Sequence, residues 1–173
     1  MSEGSEIHID ENDSAGKKIG VLAAMLAILL SIFTINAHRA HTETIELQND
    51  ANDQWSHYQS KRIREYQLEM NSDLVKIMPA PSADKTALIN AYTNKHNEYD
   101  KELTEIKTDA DAITQRNLLV QKKALHYDFA EGILEISLIM SSLYFISRKN
   151  LFPLLGIIFG ILGTAIGVYG LLL

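Results

Sequence analysis

Residues 151–173 read LFPLLGIIFGILGTAIGVYGLLL, an uncharged apolar run. At about 1.5 Å of rise per residue, such a helix is long enough to cross a hydrocarbon core of about 30 Å. Gly156, Gly160, Gly163, Gly167 and Gly170 follow one another at steps of four and three. That spacing puts all five on one stripe, at the a and d positions of a heptad. Glycine on a membrane helix lets another backbone come close. The stripe therefore predicts packing on a partner, either in the same chain or in a neighbouring subunit. The run predicts an integral membrane protein.

Two more apolar runs lie upstream. Ile19 to Ala37 follows Lys17 and Lys18 and carries no charge. A signal peptide is the competing reading. The acidic leader before the lysines and the exit Asn36-Ala37-His38-Arg39, which lacks a small-x-small cleavage site, argue for a retained span. Phe129 to Ser147 is the other run, and only Arg148-Lys149-Asn150 separates it from the glycine helix. Residues 1–16 carry five acids among Ser and Gly with no apolar period, which reads as a disordered solvated tail.

Between the first two spans the chain is polar. No Gly or Pro interrupts residues 21–78, so the first helix is expected to continue out of the membrane. Trp55, Tyr66 and Ile77 recur every eleven residues, as do Leu47 with Tyr58 and Ile63 with Leu74. An eleven-residue period predicts a nearly straight or slightly right-handed coiled coil. Met78-Pro79-Ala80-Pro81 stops the helix, because proline restricts the residue before it and lacks a donor. Ser82 is a candidate N-cap. The second helix shows a stripe at Leu88, Tyr92, Lys95, Tyr99, Leu103, Ile106, Ala110, Ile113, Asn117, Val120 and Ala124, with steps of three and four throughout.

The expected fold is an all-α membrane protein with three transmembrane helices. A long antiparallel helical hairpin, a coiled-coil stalk of roughly 60 Å, lies between the first and second. The segments are a tail at 1–16, spans at 17–38, 127–147 and 151–173, a hairpin at 39–126 turning at 79–81, and a loop at 148–150. Lys17, Lys18, Arg148 and Lys149 flank the spans on one side, which makes that side cytoplasmic. The hairpin and Leu173 then face outward, periplasmic for a bacterial inner membrane.

Asn52, Asp53, Gln54, Trp55, Tyr58, Gln59 and Lys61 form the run NDQWxxYQxK. This run and the layout of spans around it resemble the bacterial membrane family catalogued as domain of unknown function 4337. The resemblance covers nearly the whole chain. It implies a bacterial membrane protein and brings no assigned activity.

Candidate chemistry centres on Asp128, Glu131 and Glu135, which open the second span on one side of the helix. Carboxylates at that depth must pair, protonate or face water. One reading is a cation or proton site. The simpler reading is a charge layer with Arg39, His38 and His41 on the first span. His38 and His41 have metal-ligand spacing, but at a membrane exit they read as anchors, and no metal is expected. Lys61, Arg62 and Arg64 are the densest basic cluster of the hairpin, offset by Glu65 and Glu69. Trp55, Tyr58, Tyr66, Tyr92 and Tyr99 read as its seam.

The chain has 173 residues, no cysteine and a formal net charge of −6. Disulfides and thiolate metal sites are thereby excluded, and the scattered basic residues argue against nucleic acid. No nucleophile stands with a base and no phosphate-binding glycine loop is present, so an enzyme is not expected, nor a cofactor. The expected function is a non-enzymatic interaction or scaffold protein of the membrane, a homo-oligomer or an accessory subunit. The competing expectation is a small oligomeric channel or ion-coupled transporter using the acidic face of the second span.

Overall fold

The computed structural model of the chain describes residues 14–79 and 82–173. The acidic residues 3–13 of the expected tail, the turn residues Ala80 and Pro81, and the Ser82 side chain lie outside them. Three helices account for nearly all the rest, with no strand among the described residues: α1 (Ser14–Ile77), α2 (Ser82–Ser147) and α3 (Leu151–Leu172). Each is long and apolar enough, over part or all of its length, to cross a membrane. Residues 14–16, placed in the tail from sequence, are already helical.

The chain divides into two compact units. Unit 1 contains residues up to His41 together with Lys122–Leu173, and unit 2 contains Thr42–Gln121.

In unit 1, α1 buries Ile19, Leu26, Phe33, Ala37 and Ala40, while α2 buries Ala124, Tyr127, Ala130, Leu134, Ser137, Ser141 and Tyr144. The α2 residues continue the three-and-four steps of one helix face. All five glycines of α3 are buried, with Pro153 beside them. Pro153 is tolerated because the first turn of a helix has no intrahelical acceptor for its N–H. α2 ends on Arg148, which adopts the left-handed conformation at φ 53°. Its N–H bonds to Tyr144 O at 2.8 Å, closing the helix in the αL manner.

In unit 2, α1 buries Leu47, Ala51 and Glu65, and α2 buries Leu103, Ala110, Asn117 and Val120. The polar partners run in opposite order along the two helices. Glu43 meets Arg116, Lys61 meets Glu102, Glu65 meets His96, and Lys85 reaches the carbonyls of Lys76 and Met78. On α2 the sequence stripe faces inward except at Leu88, which is 42% exposed.

The eleven-residue pattern on α1 describes the core only at buried Leu47 and half-buried Trp55 and Tyr58. Tyr66, Ile77, Ile63 and Leu74 are all exposed. Ala51, half-buried Tyr58 and buried Glu65 instead follow one another at seven. A heptad of mixed character carries the packing, and the more apolar residues at eleven point away from it.

Candidate functional site

The carboxylates of α2 lie in unit 1 against a strip of α1. His41 Nε2 lies 3.0 Å from Asp128 Oδ1 and 3.1 Å from Oδ2. Thr34 Oγ1 donates to Glu131 Oε1 at 2.9 Å. Thr34 and His41 are seven residues apart, so two turns bring them to the same face. Asp128 and Glu131, three apart, share a face of α2 by the same geometry. The partner beside Asp128 is therefore His41 and not Arg39. Arg39 is two residues from His41, about 160° around the helix, and takes part in no ion pair among the described residues. His38 is exposed, and so is Glu135. The His41–Asp128 pair is itself about half exposed, at 54% and 45% of the two side chains. Among the described residues, no group of three or more His, Asp or Glu has metal-holding geometry.

The glycine stripe is filled by its own chain. A Cβ on Gly156 would strike Ser141 Oγ, and one on Gly160 would meet Leu26 and Ser137. At Gly163 it would lie 3.0 Å from Leu134 Cγ and 3.2 Å from Ala130 O; at Gly167 it would strike the Phe33 ring; at Gly170 it would meet His126 and Tyr127. Ser137 Oγ donates to Gly156 O at 2.6 Å, a bond between two buried helices. Of the bulky α2 residues, Ile136 and Phe145 are exposed, whereas Ile133 and Leu134 lie against Gly163. Gly156 faces the small Ser141 and Ser137, while Gly160, Gly163, Gly167 and Gly170 receive Leu26, Leu134, Phe33 and Tyr127. Close backbones and the Ser137–Gly156 hydrogen bond add to the large side chains seated on the glycines. Ser137 and Ser141 were legible as the continuation of the α2 stripe beyond Ala124.

In unit 2 two members of the basic cluster, Lys61 and Arg62, are engaged by neighbours, and Arg64 is exposed. Lys61 pairs with Glu102 and sits 5.4 Å from the Tyr99 ring centre, while Lys95 sits 5.0 Å from it on its own account. Arg62 pairs with Glu65 and lies 4.8 Å from the Tyr66 ring centre. The Lys61 hydrogen bond holds the Glu102 carboxyl below the usual range. Hydrogen bonding to Tyr66 first, then to Glu65, raises Arg62, and bonding to Glu98 raises Lys95. Glu65, read from sequence as an offset to the basic cluster, has a side chain only 4% exposed, with His96 Nδ1 at 3.4 Å from across the pair.

Of the run NDQWxxYQxK, Gln54, Trp55, Tyr58 and Lys61 are half-buried, and Asn52, Asp53 and Gln59 are exposed. Trp55 and Tyr58 pack edge to face at 5.7 Å. Tyr92 and Tyr99 are half-buried too, but Tyr66 is 55% exposed and leaves the seam.

The model of one family, "Domain of unknown function (DUF4337)", matches residues 15–173. No curated protein and no solved structure matches the chain.

Proposed function

Since the chain belongs to the DUF4337 family, whose description carries no activity, we propose a role from geometry: a membrane interaction protein, an accessory subunit or scaffold. In this reading unit 1 is a bundle of three spans, and unit 2 is an antiparallel helical hairpin outside the bilayer, of coiled-coil character. The amino terminus is cytoplasmic. The hairpin and Leu173 are periplasmic, in a bacterial inner membrane. The division into an apolar unit and a polar one, each with its own seam, carries the proposal. The buried glycine stripe favours an accessory subunit over a homo-oligomer, because the contact that would build the oligomer is already occupied.

The test is native mass spectrometry of the complex extracted from its own membranes in mild detergent. A second protein bound in fixed ratio is the expected result. A spectrum with this chain alone, in one or several copies, overturns the accessory role. Reporters fused after Leu173 and inserted near Ala80 should both read as external, and a cytoplasmic signal at either reverses the topology.

Glu135 favours a second reading, an ion path. It is exposed on a helix apolar enough to span and has no ion pair among the described residues. Cation flux into vesicles containing the protein, lost in Glu135→Gln, would replace the first reading with this one.

A further inference from the structure

Within unit 2, α1 has a second apolar stripe besides the one turned to α2. Ile63, Tyr66, Met70, Leu74 and Ile77 are 57%, 55%, 59%, 48% and 77% exposed. Their steps are three, four, four and three, so they occupy about 80° of the helix surface over about 21 Å. Scattered exposed apolar residues need no explanation, but a contiguous set marks an interaction surface. Anchors at i, i+3, i+7 and i+11 are the pattern on which another helix packs.

The groove beside the stripe carries charge of one sign. Tyr66, Glu69, Met70, Asp73, Leu74 and Ile77 line a groove of about 380 Å³, and its two charged residues are both acids. Asp73 is paired with Lys76 at 2.7 Å. Glu69 takes part in no ion pair among the described residues. Arg62, the cation nearest Tyr66, is committed to Glu65. The other flank carries the amides Gln67 and Asn71 and, beyond them, exposed Arg64, so the acids lie on one flank alone.

We propose that this face docks an amphipathic helix of a different protein, with an apolar side on the stripe and Lys or Arg opposite Glu69 and Asp73. A second copy is the wrong occupant. It brings the same two acids to the same flank, in a chain already at net −6, and like charges brought together select against a partner. The proposal rests on the reading of the protein as an interaction subunit and names the surface and the partner's chemistry.

The experiment measures binding of two labelled designed helices to the full chain in lipid nanodiscs. The helices share one Leu/Ile face and differ only in carrying Lys or Glu on its flank. The Lys helix is expected to bind at least about tenfold tighter, a difference of about 1.4 kcal/mol. Met70→Asp should abolish binding, and Glu69→Lys with Asp73→Lys should reverse the preference. Asp111→Lys, at an exposed site on α2, should leave it unchanged. Equal binding of the two helices overturns the proposal. So does an equal response to Asp111→Lys, which means bulk charge, or a wild-type dimer that Met70→Asp dissolves, which means a second copy. If the native complex keeps its second protein while the Glu69 and Asp73 reversals do nothing, this surface is wrong and the interaction reading stands. If the native complex holds this chain alone, the interaction reading itself fails.

Discussion

Unit 1 and unit 2 draw on α1 and α2 alike, yet they are held by different physics. Unit 1 packs glycine, alanine and serine backbones at close range, with Leu26, Phe33 and Leu134 between them. Unit 2 packs a thinner apolar seam and adds cross-helix ion pairs at Lys61–Glu102 and Glu43–Arg116. With unit 1 in a bilayer, as proposed, burial of apolar surface gives little drive, so contact area and hydrogen bonds must do the joining. In water, apolar burial drives pairing and charges select the partner. The same three-and-four spacing serves both units; what changes is which side chain occupies it.

The largest expected effect breaks unit 1. Gly163→Leu places a branched side chain where even a Cβ is 3.0 Å from Leu134 and 3.2 Å from a carbonyl. Overpacking typically costs about 1–3 kcal/mol and sometimes more, and two backbones must separate here. We expect loss of the folded protein or a large drop in its melting temperature in detergent. Gly132, with nothing within 4 Å, is the matched control. Gly132→Ala should be neutral or gain up to about 1 kcal/mol from helix propensity. If Gly163→Leu melts like the parent, the close-packing account of unit 1 is wrong.

Unit 2 should answer an apolar substitution with the opposite sign. Glu65→Leu puts leucine at a buried seam position, releases the partly exposed Arg62 to water, and leaves His96, 45% exposed as a side chain, to turn its buried Nδ1 outward. Replacing a buried charge with a well-packed apolar group is often neutral or stabilising. The melting temperature should hold or rise slightly. A clear fall would mean that Glu65 fixes the register of the pair.

How far the sequence could be read follows from the same contrast. The glycine stripe and the α2 stripe were legible because small or apolar residues recur at helical spacing with few competitors. The α1 seam was not. Its conspicuous apolar residues Ile63, Tyr66, Leu74 and Ile77 lie outside the seam, and beyond Leu47 and Ala51 the buried position is held by Glu65. Hydrophobicity alone ranks those positions in the wrong order. The acids at Asp128 and Glu131 were found because charge at the edge of an apolar run is conspicuous. Their partners were half-found, since choosing His41 over Arg39 requires counting helix angle rather than depth.

Acid should separate the units more gently. The Glu102 carboxyl is held below its ordinary value by Lys61. A depressed carboxylate adds stability above the unfolded value of 4.5, and that contribution is lost as pH falls from there through the lower folded value. Lowering the pH from 5 to 3 should weaken unit 2, followed by helix pairing between labels on α1 and α2. Glu102→Gln should reduce that slope. An unchanged slope would remove the Lys61–Glu102 pair from the account.

The smallest effect is expected at the charge layer of unit 1. A buried pair that loses one partner typically costs about 3–5 kcal/mol, the scale a pairing of Arg39 with the α2 carboxylates would carry. The structure places His41 there instead, and both members of the pair are about half exposed. An exposed ion pair contributes about 0–1 kcal/mol. Arg39→Ala should therefore leave thermal stability in detergent unchanged, and His41→Ala should lower it by at most about 1 kcal/mol. Thr34→Val should act on Glu131 at a similar scale, because one neutral donor to a carboxylate is removed. Unit 1 would then owe its cohesion to the glycine seam, with Asp128 and Glu131 left to tune the edge. A loss of several kcal/mol in His41→Ala would show instead that the layer is shielded from water in the membrane, and would make these carboxylates part of what holds unit 1 together.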